Sequence, residues 1–382
     1  MTPAIPLRKA VLLLVLVFPG APACSQQRDH ADSASAEAHR PAPAGVVFYD
    51  VGQRPSAVAA ADFTGDGHVD VAVAATGGGA VTLLHGDGTG LLRAGASFAA
   101  GREPADVEAA DLDRDGDVDL VVANHETSGV TVLLNDGRGR FHPAPGSPFD
   151  AGARPHVHGV VAGDFDGDGW VDVAVESADT REVRVLRGGP RGFAAPASVG
   201  VGTMPYTRLG AGDVAGDGRP EILVPGHGDS TLRAVEGADG GLRLAVLTIR
   251  LAGQPWTVAA GDLDADGRRD LVVVETDAAS VWRADGRGFA AAPGSPFAIR
   301  GATEAAVGDL DGDRAAEAAI GPWEGDQVTV LAGRSFAPRR VRVCERPIGL
   351  AIADLDGDGR GELLAACATT SRLAVVTIAP PR

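Results

Sequence analysis

The stretch DFDGDGWVD, residues 164–172, is an acidic turn between two apolar runs, and six close copies of it recur along the chain. Written as D-x-D-x-D-G-x-x-D/E, the seven copies occupy residues 62–70, 111–119, 164–172, 213–221, 262–270, 309–317 and 354–362. Their starts are 49, 53, 49, 49, 47 and 45 residues apart. A period of this size is typical of folds built from one supersecondary unit repeated many times. The spacing therefore predicts the architecture, and the acidic turn predicts a ligand.

The segments between the acidic turns have the character of short strands. They are apolar runs of four to seven residues, rich in Val and bounded by Gly, Asn, Asp or Pro, such as residues 118–124 and 130–136. After residue 24 no long stretch has the 3.6-residue period of a helix. Four strands per unit and seven units predict an all-β fold, a seven-bladed β-propeller of four-stranded blades. The phrase APGSPF, at residues 144–149 and 292–297, is expected to lead into an outer strand.

The last unit is one strand short. Only two strand-like runs follow the seventh turn, at about residues 362–367 and 373–378, whereas an unassigned run, GVVFYDV, precedes the first turn at residues 45–51. Pairing the N-terminal run with the last blade would close the ring and remove two open strand edges. We expect this closure.

The first 44 residues are expected to lie outside the fold. Arg8 and Lys9 followed by an apolar run predict a signal peptide over residues 1–23. The sequence Ala-Pro-Ala-Cys at residues 21–24 fits ordinary signal peptidase and also resembles a bacterial lipobox, which would make Cys24 a lipidation site. Residues 24–44, polar and rich in Ala, Pro and Ser, predict a disordered tether, and residues 45–382 the propeller. The expected location is extracytoplasmic: an outer-membrane or cell-surface lipoprotein, or otherwise a periplasmic or secreted protein.

Charge and cysteine usage narrow the partners. The net charge is −17, which argues against nucleic acid, and 26 of the 51 acidic residues stand at positions 1, 3, 5 and 9 of the turns. A membrane partner is expected only through an N-terminal lipid, and the protein is expected to be a monomer. Cys344 and Cys367 can pair in an exported protein or remain two buried thiols.

The turns have the composition of calcium loops. Ca²⁺ takes six to eight oxygen ligands, and a nine-residue turn offers carboxylates at positions 1, 3, 5 and 9 and a carbonyl at position 7. Gly at position 6 permits the positive φ that such a turn needs. The opening resembles that of an EF-hand, but the last acid comes at position 9 and the flanks are strands. The sequence predicts Ca²⁺, about four to seven ions by this ligand count, and the plain alternative is an acidic turn without an ion.

The seven loops are not equal. Four are complete, with ligands Asp111, Asp113, Asp115, Asp119; Asp164, Asp166, Asp168, Asp172; Asp262, Asp264, Asp266, Asp270; and Asp354, Asp356, Asp358, Glu362. The first loop has Asp62, Asp66 and Asp70 but Thr64 at position 3. The fourth has Asp213, Asp217 and Glu221 but Ala215 at position 3, and the sixth has Asp309, Asp311, Asp313 and Glu317 but Arg314 in place of Gly. We expect the first loop to rank below the complete ones and the sixth and fourth to be weakest.

Seven acidic loops in phase, flanked by strands, resemble the FG-GAP/VCBS repeat family, whose blades also build the head of integrin α subunits. The resemblance covers roughly residues 46–382. It implies a seven-bladed propeller with Ca²⁺ in the hairpin between the first and second strands of each blade. It does not imply integrin function, because strict FG and GAP phrases are absent from this chain.

The same architecture predicts where a ligand would bind. All ion loops should share one rim, and the opposite rim should carry the loops between second and third strands and the crossovers between blades. The chemically capable residues expected there are His125, Glu126, Arg154, His156, His158, Glu176, Tyr206, His227, Trp256, Glu275, Glu304, Trp323 and Glu324. Exposed aromatics suit contacts with carbohydrate or protein, and the histidines His125, His156, His158 and His227 can be drawn as a transition-metal site or as ordinary surface and core groups.

Three functions are consistent with these features. The first is a calcium-stabilised extracytoplasmic scaffold that binds a protein or glycan, without catalysis. The second is a propeller enzyme of lactonase, lyase or dehydrogenase type, with its site on the rim opposite the ion loops, and the third is a structural part of the envelope. The sequence has no GxSxG elbow, P-loop or HExxH motif, and fold by itself does not assign function.

Overall fold

The computed structural model describes residues 45–238 and 241–378, and in these ranges the regular secondary structure consists of β-strands joined by turns and loops. The signal peptide, the tether and Cys24 lie outside the described residues. None of the described residues belongs to a helix of the length and hydropathy needed to cross a membrane.

The strands form seven antiparallel sheets, one for each predicted blade, as expected from the sequence. Blade 1 consists of β2 (Pro55–Ala61), β3 (Asp70–Ala75), β4 (Ala80–Gly86) and β5 (Leu92–Ala99). Blade 2 consists of β6 (Pro104–Ala110), β7 (Asp119–Asn124), β8 (Gly129–Asn135), β9 (Phe141–Pro143) and β10 (Phe149–Asp150). Blade 3 consists of β11 (Val160–Gly163), β12 (Asp172–Ser177), β13 (Glu182–Leu186) and β14 (Ala197–Gly200). Blades 4 and 5 are β15 (Gly210–Gly212), β16 (Glu221–Gly226), β17 (Thr231–Ala238), β18 (Gly241–Arg250); and β19 (Pro255–Gly261), β20 (Asp270–Glu275), β21 (Ala278–Ala284), β22 (Phe289–Ala291), β23 (Phe297–Ala298). Blades 6 and 7 are β24 (Ala302–Gly308), β25 (Glu317–Pro322), β26 (Gln327–Ala332), β27 (Ala337–Arg342); and β28 (Pro347–Ala353), β29 (Glu362–Cys367), β30 (Arg372–Val376) with β1 (Val46–Asp50).

The N-terminal strand completes the last blade, which confirms the predicted closure. Strand β1 pairs antiparallel with β30, in the register Val46↔Val376 through Asp50↔Arg372, so blade 7 has the order β1-β30-β29-β28. The first strands of neighbouring blades contact one another in a continuous circle, from β2 through β6, β11, β15, β19 and β24 to β28 and back to β2. The ring is therefore closed at its axis as well as at its outer edge.

Burial follows from the radial arrangement. The second strand of each blade is buried along its whole length (β3, β7, β12, β16, β20, β25 and β29). A strand covered on both faces reads as a continuous apolar run, as LVV does in β7 and β20. Seven clusters of buried apolar side chains lie between neighbouring blades, one for each of the seven interfaces.

The outer edges of blades 2 and 5 differ from the simple four-strand expectation. In both, APGSPF divides the outer strand into two short pieces, β9 and β10 in blade 2 and β22 and β23 in blade 5. The serine of the motif takes over a ladder bond, because Val132 N–H donates to Ser147 Oγ at 2.9 Å and Val281 N–H donates to Ser295 Oγ at 3.0 Å. The motif thus interrupts the outer strand and leads into its second piece, which begins at the last residue of the motif, Phe149 or Phe297.

The two cysteines form a disulfide, Cys344–Cys367, with Cα atoms 5.9 Å apart. It joins the crossover before β28 to the end of β29. The alternative of two separate buried thiols is wrong.

Candidate ion loops and binding rim

Each acidic loop connects the first and second strands of its blade, the place that the family resemblance implies. The backbone carries two left-handed turns per loop. Six loops have Gly at position 6 with φ between 85° and 96°, and the sixth loop reaches φ 74° with Arg314 at that position. Position 4 also has positive φ in all seven loops, although Arg114 and Ala265 occupy it in the second and fifth. Arg314 therefore adopts the left-handed conformation that glycine has in the other loops. Position 4 also requires this conformation, which was not predicted from the sequence.

The first aspartate of the loop organises this turn. In the first loop Gly65 N–H donates to Asp62 Oδ1 at 2.7 Å and Gly67 N–H donates to Asp62 Oδ2 at 2.8 Å. The third loop repeats the pattern with Gly167 and Gly169 on Asp164, at 2.8 and 2.9 Å. Carboxylates that accept amide protons are held in a fixed orientation, so the loop is shaped before any ion arrives.

The acid at position 9 is the first residue of each second strand and is buried in all seven blades. Asp119 shows its role: Leu112 N–H donates to Oδ2 at 2.9 Å, and Asn135 N–H donates to Oδ1 at 2.8 Å. One carboxylate therefore ties the loop to the third strand of its own blade. Burial raises the pKa of Asp119 to about 7 and that of Asp172 to about 6, and nearby loop carboxylates add to both shifts.

The residues present fit a hard divalent cation. One carboxylate oxygen from each of three acids lies within 4.8 Å of the others in three of the complete loops, as Asp111, Asp113, Asp115; Asp164, Asp166, Asp172; and Asp262, Asp264, Asp270. Asp111 Oδ1, Asp264 Oδ1 and Glu317 Oε1 are buried without a hydrogen-bond partner. Such groups are costly unless something positive compensates them. A cluster whose ligands are all carboxylate oxygens has the chemistry that suits Ca²⁺.

The opposite rim is defined by one backbone hydrogen bond that recurs in every blade. It joins the loop after the second strand to the preceding crossover: Thr76 N to Arg54 O, His125 N to Glu103 O, Asp179 N to Arg154 O, His227 N to Met204 O, Thr276 N to Gln254 O, Trp323 N to Gly301 O and Ala368 N to Arg346 O, at 2.8–3.1 Å. This rim therefore contains both kinds of segment that the sequence assigned to it.

Six of the expected rim residues form one continuous arc of rings across blades 2 to 5. Successive ring centroids from His125 to His156, His158, Tyr206, His227 and Trp256 are 4.1, 4.6, 4.9, 5.7 and 5.0 Å apart. Trp323 lies further round on blade 6, where it is 43% exposed and has the Arg346 guanidinium 4.8 Å from its ring. Arg154 lines a cleft of about 340 Å³ with Ser128, Asp150 and Asp179.

Three histidines of the arc come together closely, and the fourth predicted ligand does not join them. One ring nitrogen from each of His125, His156 and His158 lies within 4.8 Å of the others. His227 is instead buried beside the Pro255 carbonyl, with Nδ1 3.4 Å from that oxygen. Burial lowers the pKa of His125 and of His227 and lowers that of His156 to about 4. The imidazoles of His125, His156 and His227 are consequently neutral at neutral pH.

Glu176, Glu275 and Glu304 lie below the rim surface that the sequence assigned to them. Glu176 is fully buried on β12, where it is 2.9 Å from His158 Nδ1 and accepts the N–H of Gly159 at 3.3 Å. Glu275 is buried at the end of β20 and accepts the N–H of Gly253. Glu304 is on the innermost strand of blade 6, among charged groups at the axis. Glu176 and Glu275 are buried because β12 and β20 are covered by neighbouring blades along their whole length.

The charged group at the axis was missed from the sequence. Arg208 donates to Glu304 Oε2 at 2.9 Å and to the carbonyls of Ser56 and Ala105 at 3.0 Å each, and its Nη1 lies 3.7 Å from Asp106. The members of this group occupy the same position in the repeat, which is visible when the seven loops are aligned. The residue five positions before each loop is Ala57, Asp106, Gly159, Arg208, Thr257, Glu304 or Gly349. Three of these seven are charged, and Gly159 makes room for Arg208, since a Cβ there would lie 2.9 Å from Arg208 Cα.

Burial and the neighbouring Asp106 raise the pKa of Glu108, also on β6, to about 8, while Arg208 opposes the shift. Burial raises the pKa of Glu304 to about 7, again against the effect of Arg208. The axis therefore holds more carboxyl groups than one guanidinium can neutralise.

Solved structures similar to this chain are propellers with diverse activities. A virginiamycin B lyase from Staphylococcus aureus aligns with TM-score 0.58 and 8% identity over 87% of this chain and 99% of its own. The hydrazine synthase of Kuenenia stuttgartiensis aligns with TM-score 0.58 and 15% identity over 87% and 97%. A lectin from Agrocybe aegerita that recognises non-reducing terminal N-acetylglucosamine gives 0.50 and 18% over 82% and 81%. At these identities the likeness shows the fold alone.

No curated protein sequence matches this chain. The family model of the FG-GAP-like repeat matches residues 62–122, 111–175, 213–273 and 262–320, together more than half of the chain. Each matched segment begins at the first residue of an acidic loop and continues past the loop of the next blade. With seven blades of four antiparallel strands around it, the repeated loop settles the assignment: the chain belongs to the FG-GAP repeat family.

Proposed function

We propose that this FG-GAP propeller is a calcium-stabilised, extracytoplasmic scaffold that binds a carbohydrate or protein partner through the rim opposite its ion loops. The observation that carries the proposal is the continuous arc of rings from His125 to Trp256, continued on blade 6 by exposed Trp323. A row of aromatic faces offers large contact area at low conformational cost, as binding surfaces commonly do.

The division of labour between the rims supports the proposal. The acidic loops bind their own backbone and the neighbouring strand, so their geometry serves the fold. The arc, by contrast, includes partly exposed rings such as Trp256, whose Nε1–H donates to Thr276 Oγ1 at 3.2 Å. Loops presented by a rigid scaffold are the usual place for recognition.

The test is binding to immobilised glycan and peptide arrays in buffer containing Ca²⁺. We expect Trp256→Ala and Tyr206→Ala each to weaken binding at least about tenfold, the cost of roughly 1.4 kcal/mol at one aromatic contact. Trp170→Ala is the matched control, because Trp170 lies in the third ion loop and should leave partner binding unchanged. A ligand held equally well by the two rim variants and lost in the control would refute the assignment of the binding face.

A second candidate, a propeller enzyme, is favoured by one observation. His158 stands between His156 and the buried carboxylate of Glu176, with Nε2 3.2 Å from His156 Nε2 and Nδ1 2.9 Å from Glu176. An imidazole with an orienting carboxylate is a common arrangement for moving protons. Turnover of a lactone or a glycosidic substrate that is lost in His158→Asn but kept in His142→Asn would favour this candidate over the scaffold.

A further inference from the structure

We propose that His125, His156 and His158 form a binding site for one divalent transition-metal ion, zinc by geometry, with one coordination position open to the rim. The site is chemically distinct from the acidic loops, whose ligands are oxygens, and it goes beyond the scaffold function.

The spacing of the nitrogens is that of ligands around a single ion. His156 Nε2 and His158 Nε2 are 3.2 Å apart. A tetrahedral ion with metal–nitrogen bonds of about 2.0–2.1 Å separates two ligand nitrogens by about 3.3–3.4 Å. Two Nε2 atoms at this distance share either one proton or one cation. The third nitrogen, from His125, is within 4.8 Å of the other two, close enough for a small rotation of its ring to complete the set.

The surroundings fix the ligating atom of His158. Glu176 is fully buried and places Oε1 2.9 Å from His158 Nδ1, while Gly159 N–H donates to its Oε2. A carboxylate only accepts, so Nδ1 carries the hydrogen and the lone pair is on Nε2, which faces His156. A buried carboxylate behind a histidine is the usual orienting partner in histidine–metal sites.

Negative charge near the cluster also favours a cation. Glu103 Oε2 lies 3.7 Å from His125 Nδ1, and Glu103, Glu126 and His125 bring one ligand atom each within 4.8 Å of the others. Together with Glu176, three carboxylates lie beside three imidazoles. Imidazole ligands select zinc, copper, nickel or iron rather than Ca²⁺, so the site and the loops should not compete for the same ion.

The open position would face the ring of Tyr206, whose centroid is 4.9 Å from that of His158. Three histidines with a free fourth position are the ligand set of zinc ions that bind water or a substrate atom. An oxygen-bearing group of a ligand lying along the arc would then be held by the ion and by Tyr206 together.

The test is zinc binding measured by calorimetry on the full chain, stripped of metals and then returned to saturating Ca²⁺. We expect one equivalent of tightly bound Zn²⁺ in the wild type and its loss in the double variant His156→Ala/His158→Ala. His142→Ala is the control, since His142 lies exposed on β9, away from the cluster, and should keep the equivalent. Wild type that takes up no zinc with Ca²⁺ present would overturn the proposal, as would a double variant with unchanged affinity.

The role of Glu176 as a positioning residue has its own readout. Glu176→Gln should keep one equivalent but bind zinc about 10- to 100-fold more weakly, the usual effect of removing an orienting partner. In the cobalt-substituted protein, the visible absorption of four-coordinate Co²⁺ should appear in wild type and shift in Glu176→Gln. If the substitution of buried Glu176 prevents folding, His156→Gln at the half-buried His156 tests the same site by the loss of one ligand, and an unaltered cobalt spectrum in that variant would contradict the assignment.

Discussion

At the scale of single residues, the loops are limited by backbone conformation as much as by ligands. The fourth position is left-handed in every copy, yet the fifth loop puts Ala265 there with φ 58°. A left-handed conformation costs a non-glycine residue on the order of 1 kcal/mol. The strain is borne by a loop that otherwise has all four acids.

Ala265→Gly should therefore raise the free energy of unfolding by up to about 1 kcal/mol, part of which is offset by the greater freedom of glycine in the unfolded chain. The reciprocal change Gly357→Ala, at the same position of the seventh loop, where φ is 74°, should lower it by a similar amount. Chemical denaturation of both variants at one Ca²⁺ concentration measures the pair. Changes of the same sign in the two variants would contradict the argument.

Glu108 at the axis gives a prediction about pH. Its pKa is raised from 4.5 to about 8, mainly by burial. The folded state therefore binds a proton that the unfolded state has released, and stability falls as the pH rises from about 4.5 through 8. Glu108→Gln, which keeps the shape of the protonated side chain, should make the protein more stable than wild type at pH 9, by at most about 5 kcal/mol, since the shift is about 3.5 pKa units at about 1.36 kcal/mol each.

The difference between the two proteins isolates Glu108, because the ion loops titrate equally in both. It should vanish below pH 4.5, where Glu108 is protonated in the folded and unfolded states alike. Thermal melts across this pH range give the measurement. Parallel curves for the two proteins would show that Glu108 is not held protonated.

At the scale of elements, the stability of the ring depends on the strand that closes it. Strand β1 joins residues at the start of the domain to β30 at its end, and Val46 and Phe48 pack in the cluster between blades 6 and 7. Removing it would leave the outer edge of β30 unpaired and uncover that cluster.

A chain that begins at residue 52 should consequently melt at a lower temperature than one that begins at residue 44. Its free energy of unfolding should be lower by about 2–5 kcal/mol, the contribution of one or two buried side chains and the hydrogen bonds of the strand. It should also aggregate through the freed edge of β30. The chain from residue 44 is the control, and calorimetry of the two truncations decides. Equal melting temperatures would mean that the pairing contributes nothing.

Elements that repeat were readable from the sequence, whereas contacts between repeats were not. The loop at 164–172 and its six copies were enough to predict the strand order, the two rims and the family. Each of these follows from the local sequence of one repeat and from the spacing between repeats. The interrupted outer strand depended on Ser147 and Ser295 reaching a neighbouring amide, and the axial cluster on Arg208 reaching four other residues. The serine contacts form within a folded blade, whereas the contacts of Arg208 appear only when the blades are placed around the circle.

The candidate site shows the same division. His125, His156 and His158 were grouped from their types and rim position, but Glu176 was expected on the surface, since its place on a fully buried strand depends on blade packing. His227 was included because it shares the rim, and its distance from the trio depends on the angle between blades.

At the scale of the whole molecule, calcium should act as a cohesive ligand. Ion binding to the folded state stabilises by about 2.7 kcal/mol per site at a concentration 100 times the dissociation constant. Several loops fit, so we expect a chelator to lower the melting temperature markedly and added Ca²⁺ to restore it. Scanning calorimetry with and without EGTA measures the shift, with Mg²⁺ as the control ion, which demands a stricter geometry and should restore little. Identical melts would remove calcium from the proposed function.

The guanidinium of Arg208 spans the axis and is bonded to blades 1 and 6 from its own position before blade 4. One side chain therefore fastens to one another blades that lie far apart along the chain, since the hydrogen bond to the Ser56 carbonyl joins residues 152 positions apart. The centre of the ring is thus a mechanical coupling point, through which a displacement of one innermost strand is passed to blades across the axis.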